Sequence, residues 1–98
     1  MKKINITITG ALGRMGKILI KKISTNKNLK LFSLTDLKSG KIINGIMTQK
    51  NNLEAFKKTD VIIDFSKPKA SLEILSYAKK LKKKLLLEQQ VLLSNKII

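Results

Sequence analysis

Cysteine and histidine are both missing from this 98-residue chain, which also has no tryptophan and only one proline. The absence of cysteine excludes a disulfide framework and thiolate chemistry. The absence of histidine removes the side chain used most often as a general acid or base and as a metal ligand. Composition therefore predicts no metal site, and we assign no catalytic residue.

Long hydrophobic runs are missing as well. No apolar run approaches the roughly 20 residues that span a membrane. Near the N-terminus Asn5, Thr7 and Thr9 interrupt the apolar residues that follow the first lysines, which makes a poor signal peptide. We therefore predict a cytoplasmic protein without a membrane partner.

Acidic residues are scarce: 6 of them face 21 lysine and arginine residues, and the net charge is +15. Such a charge is typical of nucleic-acid-binding proteins. Here, however, the basic residues are nearly all lysine and are scattered along the chain, beside many isoleucine and asparagine residues that also have A/T-rich codons. We predict a solvated basic surface and no nucleic-acid partner, with a basic nucleic-acid-binding protein as an alternative.

What the chain does contain is alternating strand and helix patterns, with 43% hydrophobic residues to form the core of one small domain. Ile4–Thr9 alternates apolar and polar residues, as a strand does, and helical spacing begins after Gly13. In order, we predict strand, helix, strand, short strand, helix, strand, helix and strand, at residues 4–9, 13–23, 29–36, 42–47, 51–58, 60–65, 66–81 and 84–87. This alternation predicts an α/β fold, a Rossmann-like parallel sheet with flanking helices.

The last predicted helix has a clear start signal. Ser66 is its predicted N-cap, and Pro68 stands in the first turn, where a missing N–H costs nothing. The residues expected to form its buried stripe are Leu72, Leu75, Ala78 and Leu81.

Three glycines, Gly10, Gly13 and Gly16, stand where the first strand passes into the first helix. In a dinucleotide-binding turn the first glycine allows the tight turn, the second lets the backbone approach the pyrophosphate, and the third lets the helix pack against the strand. Arg14, the only arginine of the chain, stands among them, and a forked guanidinium binds phosphate oxygens in a way that lysine does not. We predict a phosphate-binding turn here, with a simple tight turn as the alternative.

Asp36 follows Gly16 by 20 residues at the end of the second predicted strand. A carboxylate at this position binds the ribose hydroxyls of the adenosine half of a dinucleotide. Lys38 and Lys41 lie close by and would instead favour a 2′-phosphate, so the preference between NADH and NADPH stays open.

Two stretches, "GALGRMG" at 10–16 and "DFSKP" at 64–68, together resemble the dihydrodipicolinate reductase family over residues 1–87. The family reduces a cyclic imine of the diaminopimelate and lysine pathway with NADH or NADPH. The resemblance implies a cofactor-binding role for Gly10, Arg14 and Met15 at the phosphates and for Asp36 at the ribose. It further implies that Phe65 and Ser66 lie on the nicotinamide side, with core packing as the alternative interpretation of Phe65.

The chain departs from the family pattern after Leu87. The family continues there with Gly-Thr-Thr-Gly, whereas this chain has Glu-Gln-Gln-Val at 88–91. If the family residues were encoded by GGA ACA ACA GGT, loss of one G would give GAA CAA CAG and GT followed by the next base, which encodes Glu-Gln-Gln-Val whatever that base is. We therefore expect an NAD(P)-binding domain at 1–87 and an out-of-frame or disordered tail at 88–98.

The family's imine-binding residues, its proton donor and most of its tetramer contacts belong to a C-terminal part that this sequence does not contain. We therefore expect the 98-residue chain alone to be inactive as a reductase and to lack most assembly contacts of this oligomeric family. A stand-alone NAD(P)-binding module, or a regulator without catalysis, is the alternative interpretation.

Overall fold

The computed structural model describes residues 2–87, which form one four-stranded sheet, a small hairpin and three helices. The strands are β1 (Ile4–Thr9), β2 (Leu29–Thr35), β3 (Ile42–Ile43), β4 (Ile46–Met47), β5 (Val61–Asp64) and β6 (Lys84–Leu87). The helices are α1 (Arg14–Ser24), α2 (Leu53–Lys57) and α3 (Pro68–Leu81). The main sheet has the strand order β2-β1-β5-β6, and all its pairs are parallel. The predicted Rossmann-like sheet is confirmed.

Both faces of the sheet are covered, each by its own hydrophobic cluster. Ile6 and Ile8 of β1 belong to the cluster that includes buried residues of α1. On the other face Ile62 packs with buried residues of α2 and α3. Because both faces are covered, Thr7 and Thr9, which point away from the isoleucines of β1, are also fully buried.

The hydroxyl of buried Thr7 finds its partners on β2 and α2. Thr7 Oγ1 lies 2.7 Å from Ser33 Oγ on β2, and both hydroxyls contact the carbonyl oxygen of Ala55 in α2. Polar residues are tolerated in such an interior position because each finds a hydrogen-bond partner.

The short strand predicted at 42–47 is an antiparallel hairpin, β3 and β4, outside the main sheet. The prediction of one strand was wrong because Asn44 and Gly45 both adopt positive φ, 51° and 78°. This Asn-Gly pair is the sequence preference of a two-residue type I′ turn, which reverses the chain.

Helix α3 starts and packs differently from the prediction. Its N-cap is Lys67, not Ser66, while Pro68 occupies the first turn as predicted. Its buried residues are Ile74 and Ala78, whereas Leu72 is 71% exposed and Leu75 is 38% exposed. The helix carries apolar residues on more than one face, and packing against β5 and α2 selects the face that contains Ile74 and Ala78.

Within residues 2–87 no helix is long and apolar enough to cross a membrane. The predicted out-of-frame tail at 88–98 lies outside the described residues, so the domain boundary at 87 stays a prediction.

Candidate functional site

The carboxyl ends of three neighbouring strands meet at one edge of the sheet. Gly10 follows β1, Asp36 follows β2, and Phe65 follows β5. Between these segments lies a cleft of about 380 Å³. In an open parallel sheet, ligands bind in the crevice beyond the carboxyl ends of the strands.

Six of the nine predicted site residues line this cleft, and three do not. The six are Gly10, Gly13, Asp36, Lys38, Phe65 and Ser66. Arg14, Met15 and Gly16 lie in the first turn of α1, directly beside the cleft. Arg14 is exposed, Met15 is half-buried and Gly16 is buried.

Two of the three glycines are explained by packing inside the protein. Gly10 has φ +67°, and a Cβ there would lie 2.7 Å from the backbone carbonyl of Phe65. A Cβ on Gly16 would lie 2.7 Å from the carbonyl oxygen of Gly10. Close approach of the β5–α3 segment and of α1 to the turn therefore requires glycine at both positions.

Gly13 is different, because no part of the described protein requires glycine there. Its φ of −74° and ψ of 169° are accessible to any residue. A Cβ at Gly13 would meet only the carbonyl oxygen of Gly10, at the ordinary contact distance of 3.4 Å. The missing side chain instead leaves open space in front of the N-terminus of α1.

The N-terminus of α1 presents unpaired hydrogen-bond donors beside that open space. Residues 11–13 donate their N–H groups to Thr35 O, Asp36 Oδ2 and Gly10 O, respectively. The N–H groups of the first three helical residues, 14–16, have no acceptor among the described residues. Unpaired N–H groups at the positive end of a helix form a binding site for an anion such as phosphate.

Asp36 connects the end of β2 to the glycine turn. Its Oδ2 accepts a hydrogen bond from the N–H of Leu12 at 3.0 Å, and its Oδ1 lies 3.4 Å from the N–H of Lys38. These bonds hold the half-buried carboxylate at the cleft wall, beside Leu37, which is 77% exposed. Lys38 also lines the cleft, whereas Lys41 does not.

Phe65 belongs both to the hydrophobic core and to the lining of the cleft. Its half-buried side chain packs against the hydrophobic cluster between α1 and the sheet, and the residue also lines the cleft.

Sequence reasoning missed the role of Asp64, which is 3% exposed. Its Oδ1 accepts hydrogen bonds from Thr9 Oγ1 at 2.7 Å, from the N–H of Ser66 at 2.8 Å and from the Ser66 hydroxyl. Its Oδ2 is buried without a partner among the described residues. The signal available in the sequence was the Asp-x-Ser spacing, which is typical of a carboxylate that caps the backbone two residues on.

Five further residues line the cleft without having been predicted. They are Leu12, Leu37, Asn51, Lys67 and Ala70. Leu12 and Lys67 lie within the two quoted stretches, but the sequence analysis assigned them no role. Asn51 reaches the cleft because the segment before it bonds to the end of β2, where Gln49 N–H donates to Leu34 O and Asp36 N–H donates to Gln49 O.

Comparison with known proteins agrees with this geometry. The family described as dihydrodipicolinate reductase, N-terminus, matches this chain over residues 4–87. The 4-hydroxy-tetrahydrodipicolinate reductase of Pelagibacter ubique (strain HTCC1062) is 53% identical over 88 residues, which cover 89% of this chain and 34% of that protein. The enzyme of the same name from Buchnera aphidicola subsp. Cinara cedri (strain Cc) is 44% identical over 98 residues, which cover 87% of this chain and 36% of that protein.

A solved structure shares the fold. Dipicolinate-bound dihydrodipicolinate reductase from Paenisporosarcina sp. TG-14 matches with a TM-score of 0.72 at 19% identity, covering 93% of this chain and 41% of that one. The chain spans about a third of the length of the curated relatives it matches. It therefore belongs to the dihydrodipicolinate reductase family and corresponds to the N-terminal, nucleotide-binding part of that family.

Proposed function

We propose that this chain binds NAD(P)H in the cleft, with the pyrophosphate at the N-terminus of α1. The observation that carries the proposal is the space left at Gly13, next to the unpaired N–H groups of residues 14–16. Nothing in the described protein requires glycine at this position, whereas a phosphate that approaches the backbone does. The residues present therefore fit a dinucleotide.

The strand order gives the dinucleotide a direction. Asp36 follows the edge strand β2, the glycine turn follows β1, and Phe65 with Ser66 follows β5. With the pyrophosphate at the central position, the adenosine ribose lies toward Asp36 and the nicotinamide lies toward Phe65 and Ser66.

Each predicted binding residue then has a defined task. The N–H groups of Arg14, Met15 and Gly16 donate to phosphate oxygens, and the exposed guanidinium of Arg14 adds positive charge at the same end of α1. Asp36 accepts Leu12 N–H with Oδ2 and Lys38 N–H with Oδ1, and the remaining lone pairs of both oxygens are available to ribose hydroxyls. Lys38 lies on the same wall and supplies the positive charge that a 2′-phosphate would need.

We further propose that the chain is the cofactor-binding part of a cytoplasmic reductase that acts on a cyclic imine. The support is its similarity to proteins named 4-hydroxy-tetrahydrodipicolinate reductase, of which it covers about a third. The bound nicotinamide supplies the hydride for such a reduction. No described residue is assigned to imine binding or proton donation, and the assembly of this oligomeric family would depend mainly on contacts beyond the described domain.

The test is a side chain placed in the open space. Gly13→Val fits the backbone angles of this position, and its Cβ would meet only Gly10 O, at 3.4 Å, so the fold is expected to persist. The added methyl groups would occupy the phosphate position, and we expect ADP-ribose to bind at least tenfold more weakly in isothermal titration calorimetry. ADP-ribose is the probe because it contains the adenosine and pyrophosphate but no nicotinamide.

Ser76→Val is the matched control, since Ser76 is an exposed residue of α3 that does not line the cleft. This variant should bind ADP-ribose as the parent chain does. Undiminished binding by a folded Gly13→Val variant would contradict the proposed pyrophosphate position.

A further inference from the structure

Ser66 lies at the β5 side of the cleft, and both of its hydrogen-bond donors are already used. The backbone N–H donates to Asp64 Oδ1 at 2.8 Å, and the hydroxyl donates to the same oxygen. A serine has only these two donors. Toward any ligand in the cleft, Ser66 therefore offers lone pairs alone.

The nearest other hydroxyl does not change this conclusion. Ser71 Oγ lies 3.4 Å from Ser66 Oγ, and its own proton is directed to the carbonyl oxygen of Lys67 at 3.3 Å. Ser66 Oγ thus donates once, to Asp64, and keeps acceptor capacity.

Buried hydrogen bonds beneath the cleft stabilise this orientation of the Ser66 hydroxyl. Asp64 is 3% exposed, and its Oδ1 also accepts from Thr9 Oγ1 at the end of β1. Turning the Ser66 hydroxyl toward a ligand would remove one donor from a buried carboxylate that already has an oxygen without a partner among residues 2–87. Leaving buried polar groups unpaired is costly, so the hydroxyl orientation is strongly preferred.

We infer that Ser66 Oγ accepts a hydrogen bond from the carboxamide N–H₂ of the nicotinamide, and that Asp64 is a positioning residue that keeps Ser66 in this acceptor state. The inference rests on the proposed function, which directs the nicotinamide toward Phe65 and Ser66. A carboxamide has one donor side and one acceptor side. An acceptor-only serine selects the donor side and thereby sets the orientation of the carboxamide, while it disfavours a ligand that carries only a carbonyl oxygen there.

The experiment compares two dinucleotides that differ at this group. NAD⁺ carries the carboxamide, and 3-acetylpyridine adenine dinucleotide replaces its N–H₂ by a methyl group. In calorimetry on the 98-residue chain we expect NAD⁺ to bind roughly three- to tenfold more tightly, the range expected from one neutral hydrogen bond. Ser66→Ala should abolish this preference, and Ser66→Thr, which keeps the hydroxyl, should retain it.

Asp64→Asn should also reduce the preference, because an amide can donate to Ser66 Oγ and reverse the direction of that hydrogen bond. Ser76→Ala is the matched control and should leave the preference unchanged. A preference that persists in Ser66→Ala would overturn the inference even if Asp64→Asn does not fold. Binding of ADP-ribose distinguishes failure of this inference from failure of the proposed function. If the parent chain does not bind ADP-ribose, the proposed function itself fails.

Discussion

The β1–α1 turn and the β5–α3 turn lie side by side at the same sheet edge, yet backbone groups define the first and a side chain organises the second. The first consists of backbone: Gly13 leaves open space, and the N–H groups of residues 14–16 have no partner among the described residues. The second is organised by a side chain, because Asp64 accepts both donors of Ser66. One strand–turn–helix arrangement thus yields a donor-rich surface for an anion, and its neighbour yields an acceptor.

The difference has a consequence for what each turn tolerates. The glycine turn depends on the absence of a Cβ at Gly10 and Gly16, where other backbone segments pack closely against the turn. The β5–α3 turn depends on one buried carboxylate that joins β1, β5 and the start of α3. Substitutions in the two turns should therefore affect folding and binding in different proportions.

The largest effect is expected where the two turns touch. Gly10→Ala would place Cβ 2.7 Å from the Phe65 carbonyl carbon and would also force φ +67° on alanine. Backbone strain and overlap together should lower the free energy of unfolding by about 4 kcal/mol, a large part of the stability of a small domain. Urea denaturation followed by circular dichroism measures this change.

Gly13→Ala, in the same turn, is the matched control. With allowed angles and an ordinary contact distance, it should change the free energy of unfolding by less than about 0.5 kcal/mol. Equal destabilisation by both substitutions would remove the distinction between a packing glycine and a ligand-facing glycine.

A smaller loss of stability is expected from the carboxylate of the second turn. Asp64→Ala leaves the donors of Thr9 and Ser66 without their acceptor in a buried position, which should cost about 2–3 kcal/mol in the free energy of unfolding. Thr9→Val removes one of these donors and keeps the shape, so about 1 kcal/mol is expected. If Asp64→Ala is as stable as the parent chain in the same urea experiment, Asp64 does not organise this turn.

The smallest effect concerns Arg14, which is exposed and does not line the cleft. Arg14→Lys keeps the charge and loses the forked geometry, and solvent screens the interaction, so ADP-ribose affinity should fall only two- to fivefold. Lys17→Ala, which removes an exposed charge one helical turn further along α1, should change the affinity less. A loss above twentyfold for Arg14→Lys in calorimetry would mean that the guanidinium makes a direct, well-desolvated contact in the bound state.

Much of the architecture follows from local sequence patterns. The alternation in Ile4–Thr9, the strand pattern at 60–65 and the glycines between strand and helix all predict their elements correctly, with β5 observed at Val61–Asp64. The hairpin was missed because Asn44–Gly45, a two-residue signal, lies within a stretch interpreted as one strand. The start of α3 was misplaced because serine is a residue type favoured at N-caps. In the structure the Ser66 hydroxyl donates to Asp64 instead, and Lys67 is the N-cap.

By itself, the sequence determined the order of the main-sheet strands and of the helices, the position of the glycine turn and the placement of Asp36 at a strand end, because these depend on residues that are neighbours along the chain. Only the tertiary structure decided which face of α3 is buried, which of the three glycines faces open space, and that Thr9 and Asp64, 55 residues apart, share a hydrogen bond. The physical reason is that burial and hydrogen-bond pairing depend on which elements become neighbours in the folded sheet, and one-dimensional periodicity carries no information about those partners.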